Sequence, residues 1–223
     1  CGINNLFGEI TWFYPTADSN VNTRSVTYSY LDSTAKRPIW FTNDSTLFTR
    51  TTWQDSAVFG LPHATQYDAN TDVSFDVEGN TDGITYYYEH ETGVNQVRLG
   101  VTAAIPANIT SGDYDITQKV VRGAATNMAD LRGDGENIMR VSRIIPDFIT
   151  QQNNVFAQLE VRDYPNDTAA SSPLGPFTLT PTTTKVDTRA RGRAIALTIS
   201  NTAVDTSWKL GTFRLDIQAG GRR

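Results

Sequence analysis

The most enzyme-like local cluster in the sequence is a histidine between two glutamates. His90 stands between Glu89 and Glu91, and a carboxylate beside an imidazole can tune a general base. The segment from Ile84 to His90 has the alternation of a β-strand, in which adjacent side chains point to opposite faces. His90 therefore does not pair directly with either carboxylate, and we expect a structural histidine.

Little other material for catalysis or metal binding is present. The second histidine, His63, follows Pro62 without an evident partner in sequence, and the one cysteine is Cys1. Serine and cysteine triads, zinc sites and internal disulfides therefore have almost no residues to draw on. No glycine-rich phosphate loop stands between a strand and a helix. We expect a protein that is not an enzyme and needs no cofactor.

Acidic residues form two further candidate groups. Asp130 to Glu136 resembles the start of a calcium loop, but Arg132 occupies its third position and Val141 stands where a bidentate glutamate is needed. A polar turn is the better interpretation, and the adhesion tripeptide at 132–134 arises easily by chance. Other carboxylates could form a glycosidase pair if they converge in space, although nothing selects a pair; they include Asp72, Asp76, Glu78 and Asp82.

Arginines near the end of the chain carry the remaining signal for binding. Arg189, Arg191 and Arg193 recur at a period of two, so on one strand they project from one face about 6.5 to 7 Å apart. This arginine row suits phosphates, or carboxylates on a partner chain. We assign the same candidate subunit or adaptor contact to three further residues, Arg214, Arg222 and Arg223.

The reverse face of the same segment helps to choose the partner. Most exposed arginines simply face solvent, but the residues between these arginines are small, beginning with Ala190 and Gly192. Such a bare face favours close packing against a neighbouring subunit. The acidic overall charge of −5 and the absence of a known DNA-reading motif argue against DNA as the partner.

The arginine row belongs to a terminal segment with the pattern of a β-hairpin. Its apolar odd positions continue the arginine face through Ile195, Leu197 and Ile199. On the return strand the apolar residues change parity at Gly211, which predicts one extra residue in a β-bulge. Structural roles are predicted for Gly211 and for Trp208, which precedes it on the return strand.

Composition predicts an all-β protein. Threonine, asparagine, aspartate and aromatic residues are abundant, whereas leucine, lysine and glutamate are scarce for 223 residues, which favours strands joined by polar turns over helices. Charge divides unevenly, with −7 in residues 1–100 and +2 in residues 101–223. This asymmetry suggests two regions with different neighbours.

Residues 1–105 form the first predicted region. Short aromatic strands alternate with Asp, Asn and Gly turns, a pattern typical of β-propeller blades or of a meandering sheet. Trp12 and Trp53 are expected to be structural residues of these blades. The poor self-similarity of the region is explained if the propeller is partial.

Residues 106–223 form the second predicted region, beginning at Pro106. Its strands are longer and less aromatic, and their long polar connections suggest a β-sandwich or jelly-roll-like module that ends in the arginine-rich hairpin. No run approaches 18 apolar residues, so no membrane span is expected. The start at Cys1 without a methionine suggests a processed or partial product.

Several short motifs give the sequence a family resemblance. The ending is the most specific part, with Arg191-Gly-Arg193, Leu197, Trp208-Lys-Leu-Gly211, Arg214-Leu-Asp-Ile217 and Gly221-Arg-Arg223. Further motifs are Trp12-Phe-Tyr-Pro15, Arg50 to Ser56, His90-Glu-Thr-Gly93, Asp134-Gly135 and Arg143-Ile-Ile-Pro-Asp147. In this order they resemble the C-terminal half of tail hub proteins of short-tailed bacteriophages, also called nozzle or packaged-DNA stabilization proteins.

This resemblance implies a structural role in a virion. Members of such a family are propeller-containing subunits of a sixfold ring below the portal and its adaptor. The ring forms a channel that retains packaged double-stranded DNA without sequence specificity and passes it on infection. The chain would assemble in the host cytoplasm as a homo-hexamer that also contacts other tail proteins. From the charge distribution we add the hypothesis that its acidic first region lines or faces the DNA channel, where like charge keeps DNA from binding.

Two other classes of function remain open. A carbohydrate-binding or depolymerase-type phage protein would use exposed aromatic residues as sugar platforms, with Trp12, Trp40, Trp53 and Tyr86 to Tyr88 as candidates. A DNA-binding module would instead use the arginine row and would show a strongly salt-dependent affinity.

Overall fold

The computed structural model of the chain is all-β, which confirms the predicted fold class. It describes residues 1–44, 49–55, 58–68, 84–98, 100–116, 137–164 and 171–220. Within these ranges every regular element is a strand and the sheets are antiparallel. The described part of the chain holds no helix with the length and apolarity that a membrane crossing requires.

The chain divides into two compact units, Cys1–Thr92 and Gly93–Arg223. The boundary predicted between residues 105 and 106 falls inside the second of these units. The predicted boundary marks a change in amino-acid composition, whereas the two units are defined by the contacts between their residues.

The described residues of the first unit form two meandering sheets. The four strands of the first sheet pair in sequence order and are β1 (Gly2–Asn4), β2 (Glu9–Tyr14), β3 (Arg24–Thr34) and β4 (Arg37–Asn43). The second sheet contains β5 (Thr52–Gln54), β6 (His63–Asp68) and β7 (Ile84–Glu89). Such meanders are the strand arrangement of propeller blades, and the propeller itself stays a prediction.

In the part of the second unit that the structure describes, the strands form two sheets and two smaller ribbons. Its early strands are β8 (Asn95–Arg98), β9 (Val101–Ala104), β10 (Ala107–Thr110), β11 (Met139–Ile145), β12 (Phe148–Gln152) and β13 (Val155–Arg162). Its later strands are β14 (Ser171–Leu179), β15 (Val186–Gly192), β16 (Ala194–Asn201), β17 (Ser207–Leu210) and β18 (Arg214–Ala219). The sheets run β10-β16-β13-β14 and β15-β11-β18, and the ribbons are β8-β9 and β12-β17.

Both sheets of the second unit contribute to one hydrophobic core. Strand β13 buries alternate residues, as the period of two predicts, and its Leu159 is fully buried. Strand β16 adds Ile195, Leu197 and Ile199, while β11 adds residues such as Met139. Two sheets that share a core in this way form a sandwich-like arrangement. Its jelly-roll connectivity stays a prediction.

The predicted terminal hairpin is wrong. Strand β16 pairs with β10 and β13, whereas β17 pairs with β12 and β18 pairs with β11. The segment that looked like one strand also breaks at Arg193, between β15 in one sheet and β16 in the other. The buried side changes parity there: even positions are buried in β15, and the odd positions 195, 197 and 199 in β16. An apolar alternation does not by itself identify the partner strand, because the partner depends on contacts distant in sequence.

Candidate functional site

Arginines collect on the outer face of the three-stranded sheet in the second unit. In the register of this sheet, Arg191 of β15 lies opposite Arg140 of β11, and Arg140 lies opposite Gln218 of β18. Arg189 lies two residues from Arg191 on the same face of β15, because side chains alternate along a strand. We call Arg140, Arg189 and Arg191 the arginine cluster.

The cluster is exposed and carries positive charge. All three arginines are exposed, and together with Gln218 they line a depression of about 430 Å³. Among the residues that the structure describes, no carboxylate forms an ion pair with any of the three. Guanidinium groups in this arrangement can bind carboxylates or phosphates through paired hydrogen bonds.

At the other end of the same sheet face, carboxylates balance the positive charge of an arginine. Arg143 of β11 donates from Nε to Asp187 Oδ1 at 2.8 Å and lies 3.5 Å from Asp216 Oδ2. The hydrogen bond from Arg143 holds the pKa of Asp187 below its ordinary value. Lys185 also lies near Asp187. Arg143 is therefore neutralised by carboxylates, whereas no described carboxylate forms an ion pair with the arginine cluster.

Arg193 lies at the corner where the chain passes between the two sheets. Its backbone N–H donates to Arg162 O at 2.9 Å, and with Arg191 it lines a second depression that also contains Asp163 and the exposed Tyr164. Arg162 itself is compensated by Asp113, with a 2.8 Å contact. The predicted row of three arginines therefore does not continue along a single strand.

The small residues of β15 do not form a free face, which corrects the predicted subunit contact there. Ala190 is fully buried in the core, and Gly192 is buried against β13. A Cβ atom on Gly192 would lie 2.3 Å from Val161 Cγ1 and 3.0 Å from Arg162 O. These small residues therefore pack inside the second unit, where Gly192 lies against β13.

The remaining predicted contact residues do not join the cluster. Arg214 is exposed but lies at the opposite end of β18, in register with Ile145. Arg222 and Arg223 lie outside the described residues. Arg140 is the member that sequence reasoning missed. Its exposed position between the buried Met139 and Val141 was available as a signal, but only the strand register brings it beside Arg191.

Trp208 and Gly211 occupy the positions that join β17 to the core. Trp208 packs against the core and donates from Nε1 to Asn201 Oδ1 at 2.8 Å. Gly211 lies in the connection between β17 and β18. Arg214 pairs with Ile145 and Leu210 pairs with Phe148, so this connection has one residue more than the segment opposite it. The Gly211 N–H donates to Asp147 O at 2.8 Å, and a Cβ atom on Gly211 would lie 2.8 Å from that oxygen.

His90 belongs to a buried polar cluster in the first unit. Arg50, which is 5 % exposed, donates from Nε to His90 Nε2 at 2.9 Å and from Nη1 to Gln66 Oε1 at 3.0 Å. Its guanidinium lies 4.2 Å from the centre of the Tyr88 ring. The Trp53 ring packs 4.5 Å from the His90 ring. We call Arg50, Gln66, Tyr88 and His90 the Arg50 cluster.

The electrostatics of the Arg50 cluster favour a neutral histidine. Burial, then the charge of Arg50 and the neighbouring His63, lower the pKa of His90 to about 4. Burial also lowers the pKa of Arg50 to about 10, so the guanidinium is still protonated at neutral pH. Since Nε2 of His90 accepts a hydrogen bond, the remaining proton of the neutral ring is on Nδ1. This geometry places His90 in a structural role.

Other aromatic residues of the first unit are exposed. Trp12 is 39 % exposed and Trp40 is 52 % exposed, and their ring centres lie 6.1 Å apart. Tyr28 lies in register with Trp40, at 4.7 Å between ring centres. Trp53 instead packs over the Gly2 backbone and donates from Nε1 to Ile3 O at 2.8 Å. The structure therefore separates an exposed aromatic surface from a packed tryptophan.

Several candidates from the sequence lie outside the described residues. These are the loop at 130–136 with its adhesion tripeptide and the acidic residues Asp72, Asp76, Glu78 and Asp82. Within the described residues, no group of three or more His, Cys, Asp or Glu side chains is arranged to hold a metal ion. In comparisons with known proteins, no protein-family model and no curated protein matches the chain.

Proposed function

We propose that this chain is part of a structural subunit of the tail of a short-tailed bacteriophage. In this proposal it belongs to a hub or nozzle ring below the portal and its adaptor. The ring retains packaged DNA and forms the channel for ejection. The chain is located in the virion and contributes no catalytic step.

The observation that supports this role is the arginine cluster. Three exposed guanidinium groups share one sheet face without a paired carboxylate among the described residues. They lie on strands held by the fully buried core residues Met139 and Ala190, so the cluster is held on a packed scaffold. A packed sheet suits a permanent contact between subunits, because little backbone order must be gained on binding and only the arginine side chains must be ordered.

Electron microscopy of the intact virion tests this proposal. An antibody fragment raised against residues 93–223 should decorate the tail at one height, in class averages with sixfold symmetry. The same fragment, preincubated with the purified chain, provides the control and should leave the tail bare. A label on the capsid shell or on side appendages, or virions without any label, would contradict the proposed position.

The exposed aromatic surface supports a second candidate function, carbohydrate binding. Sugar rings present C–H faces that pack on tryptophan and tyrosine, and Trp12, Tyr28 and Trp40 provide adjacent rings. The rim carries charged groups, since Arg24 and Asp44 form an exposed ion pair at 3.5 Å. This candidate uses a different unit and a different surface from the arginine cluster.

A glycan array with a depolymerase assay separates the two candidates. Trp40→Ala should lower glycan binding by about fivefold to thirtyfold if the aromatic surface is the site, since stacking on one ring contributes about 1 to 2 kcal/mol. Phe41→Ala is the matched control, because Phe41 is exposed on the opposite face of the same strand. A wild-type protein that binds no glycan and cleaves none eliminates this candidate.

A further inference from the structure

The first unit contains an acidic cluster that mirrors the arginine cluster of the second. Glu9, at the start of β2, lies in register with Asn4 on one side and Ser29 on the other. Asn4 donates from Nδ2 to Glu91 Oε1 at 2.9 Å, and Ser29 donates from Oγ to Asp32 Oδ2 at 3.1 Å. Strand register therefore gathers Glu9, Asp32 and Glu91, which we call the acidic cluster.

The acidic cluster is held in place by buried polar side chains. Asn4 is 7 % exposed and Ser29 is fully buried, so the residues that orient two of the carboxylates are fixed by packing. Partial burial raises the pKa of Glu9, and the charges of Glu91 and Asp32 raise it further. The three carboxylates therefore repel one another.

No described cation of the first unit forms an ion pair that relieves this repulsion. Among the described residues, Glu9, Asp32 and Glu91 form no ion pair with a lysine or arginine, and they are not arranged to share a metal ion. The sequence gives the first unit a net charge of −8 and the second a net charge of +3. One chain thus carries two clusters of opposite charge, and neither forms an ion pair with an oppositely charged residue in the part of its unit that the structure describes.

We propose that the arginine cluster of one copy of this chain binds the acidic cluster of a second copy. The inference rests on the proposed ring function and names the two surfaces that meet in that ring. Because the two surfaces differ, each copy can bind one neighbour through Arg140, Arg189 and Arg191, and another through its acidic cluster. Such head-to-tail contacts close into rings when the rotation between copies allows it.

Charge complementarity selects this partner over others. Arginine binds carboxylates in a bidentate geometry. In the arginine cluster, Arg191 and Arg140 lie opposite each other on neighbouring strands. DNA phosphate is the competing partner for the arginine cluster, but it would leave the acidic cluster uncompensated. A contact between copies compensates both clusters at once.

Reciprocal charge reversal tests the contact in the full chain by sedimentation velocity at 50 mM salt. The wild type should associate, and Arg189→Glu with Arg191→Glu should weaken association at least about a hundredfold, as expected for loss and reversal of two charge pairs. Asp32→Lys with Glu91→Lys should have the same effect. A mixture of the two double variants should associate again through their matched surfaces, although each alone is monomeric.

Matched variants control for general charge effects and for folding. Lys185→Glu with Lys209→Glu makes the same charge change on exposed residues of the second unit outside the arginine cluster, and it should leave association within about threefold of the wild type. If the lysine variants of the acidic cluster fail to fold, Asp32→Asn with Glu91→Gln removes the charge while keeping hydrogen-bonding groups. This pair should still weaken association, and circular dichroism checks the fold.

Three results with the purified protein would overturn the inference. One is a wild type that stays monomeric up to about 100 μM at low salt. Another is a mixture of folded reversal variants that does not associate. The third is a monomer that binds a 20-base-pair DNA duplex through the arginine cluster, since this identifies phosphate as the partner. Virions that show the labelled ring but tolerate the reversals contradict only this inference, whereas virions without the ring contradict the proposed function itself.

Discussion

The two units of the chain bury different kinds of side chain. The second unit encloses a cluster of buried aliphatic and methionine residues that includes Met139, Leu159 and Ile199. In the first unit, the described buried residues are mostly polar, among them Ser29, Arg50 and Gln66. Apolar contacts are non-directional, whereas buried polar groups need specific partners. We therefore expect packing volume to govern the stability of the second unit, and hydrogen bonding and protonation that of the first.

The largest expected effect is the loss of core volume in the second unit. Leu159 is fully buried in the middle of β13, so Leu159→Ala should lower the free energy of unfolding of this unit by about 3 kcal/mol. Hydrogen exchange measured by mass spectrometry should show faster exchange in β13 and β16, with the first unit unchanged. Val101→Ala, at a 67 % exposed position of the same unit, should change stability by less than about 0.5 kcal/mol.

If Leu159→Ala accelerated hydrogen exchange equally in both units, the expected independence of the two interiors would be wrong. It would mean that the two units unfold together, so that the character of each interior does not determine its own stability.

Removal of Arg50 should have a slightly smaller effect, confined to the first unit. Arg50→Leu leaves His90 Nε2 and Gln66 Oε1 without the donor that they now share, and an unsatisfied buried acceptor costs about 1 to 3 kcal/mol. We expect a loss of about 2 to 3 kcal/mol, measured by urea unfolding. Arg37→Leu, at an exposed position in the same unit, is the matched control and should be nearly neutral. An equally stable Arg50→Leu protein would show that apolar contacts suffice there.

Acid should destabilise the first unit through His90. The unfolded chain binds a proton on this ring below a pKa of about 6.5, whereas the folded unit resists protonation until a pKa of about 4. The unfolded state thus binds more protons between these values, so stability is fully present above pH 6.5 and falls as pH drops toward 4. The ring is partly exposed, which reduces the expected loss to about 2 kcal/mol.

Nuclear magnetic resonance of the imidazole nitrogens can measure this titration, because the chain contains only two histidines. His90→Gln keeps an acceptor for Arg50 and removes the titrating group, so it should flatten the dependence of stability on pH between 4 and 6.5. A His90 ring that titrates near pH 6.5 in the folded protein would contradict the hydrogen bond to Arg50.

Local patterns predicted more of the second unit than of the first. Alternation in β13 and the buried odd positions of β16 follow directly from the period of two. The parity change at Gly211 indicated the extra residue that the register contains. By contrast, the break at Arg193 is marked only by a change of the buried side, from the small even residues Ala190 and Gly192 to the apolar odd residues that begin at Ile195. The regular spacing of the arginines conceals this change.

Contacts between distant residues were beyond local reasoning. Arg140 joins Arg191 only through pairing across a sheet, and Arg50 meets His90 across 40 positions of sequence. The polar interior of the first unit was also hidden, since a buried arginine or glutamine has the same sequence signature as an exposed one. The sequence therefore predicted that an arginine face exists, but it did not predict which arginines form it.

The smallest effect separates backbone geometry from side-chain packing within the second unit. Gly211→Ala places a Cβ atom 2.8 Å from Asp147 O, whereas Gly112→Ala meets no atom within 4 Å. The first substitution must shift the backbone at the bulge and should cost about 1 to 2 kcal/mol, while the second should be neutral or slightly stabilising. Thermal unfolding at pH 7 provides the measurement. Two equally stable variants would show that the backbone around Gly211 can move without cost.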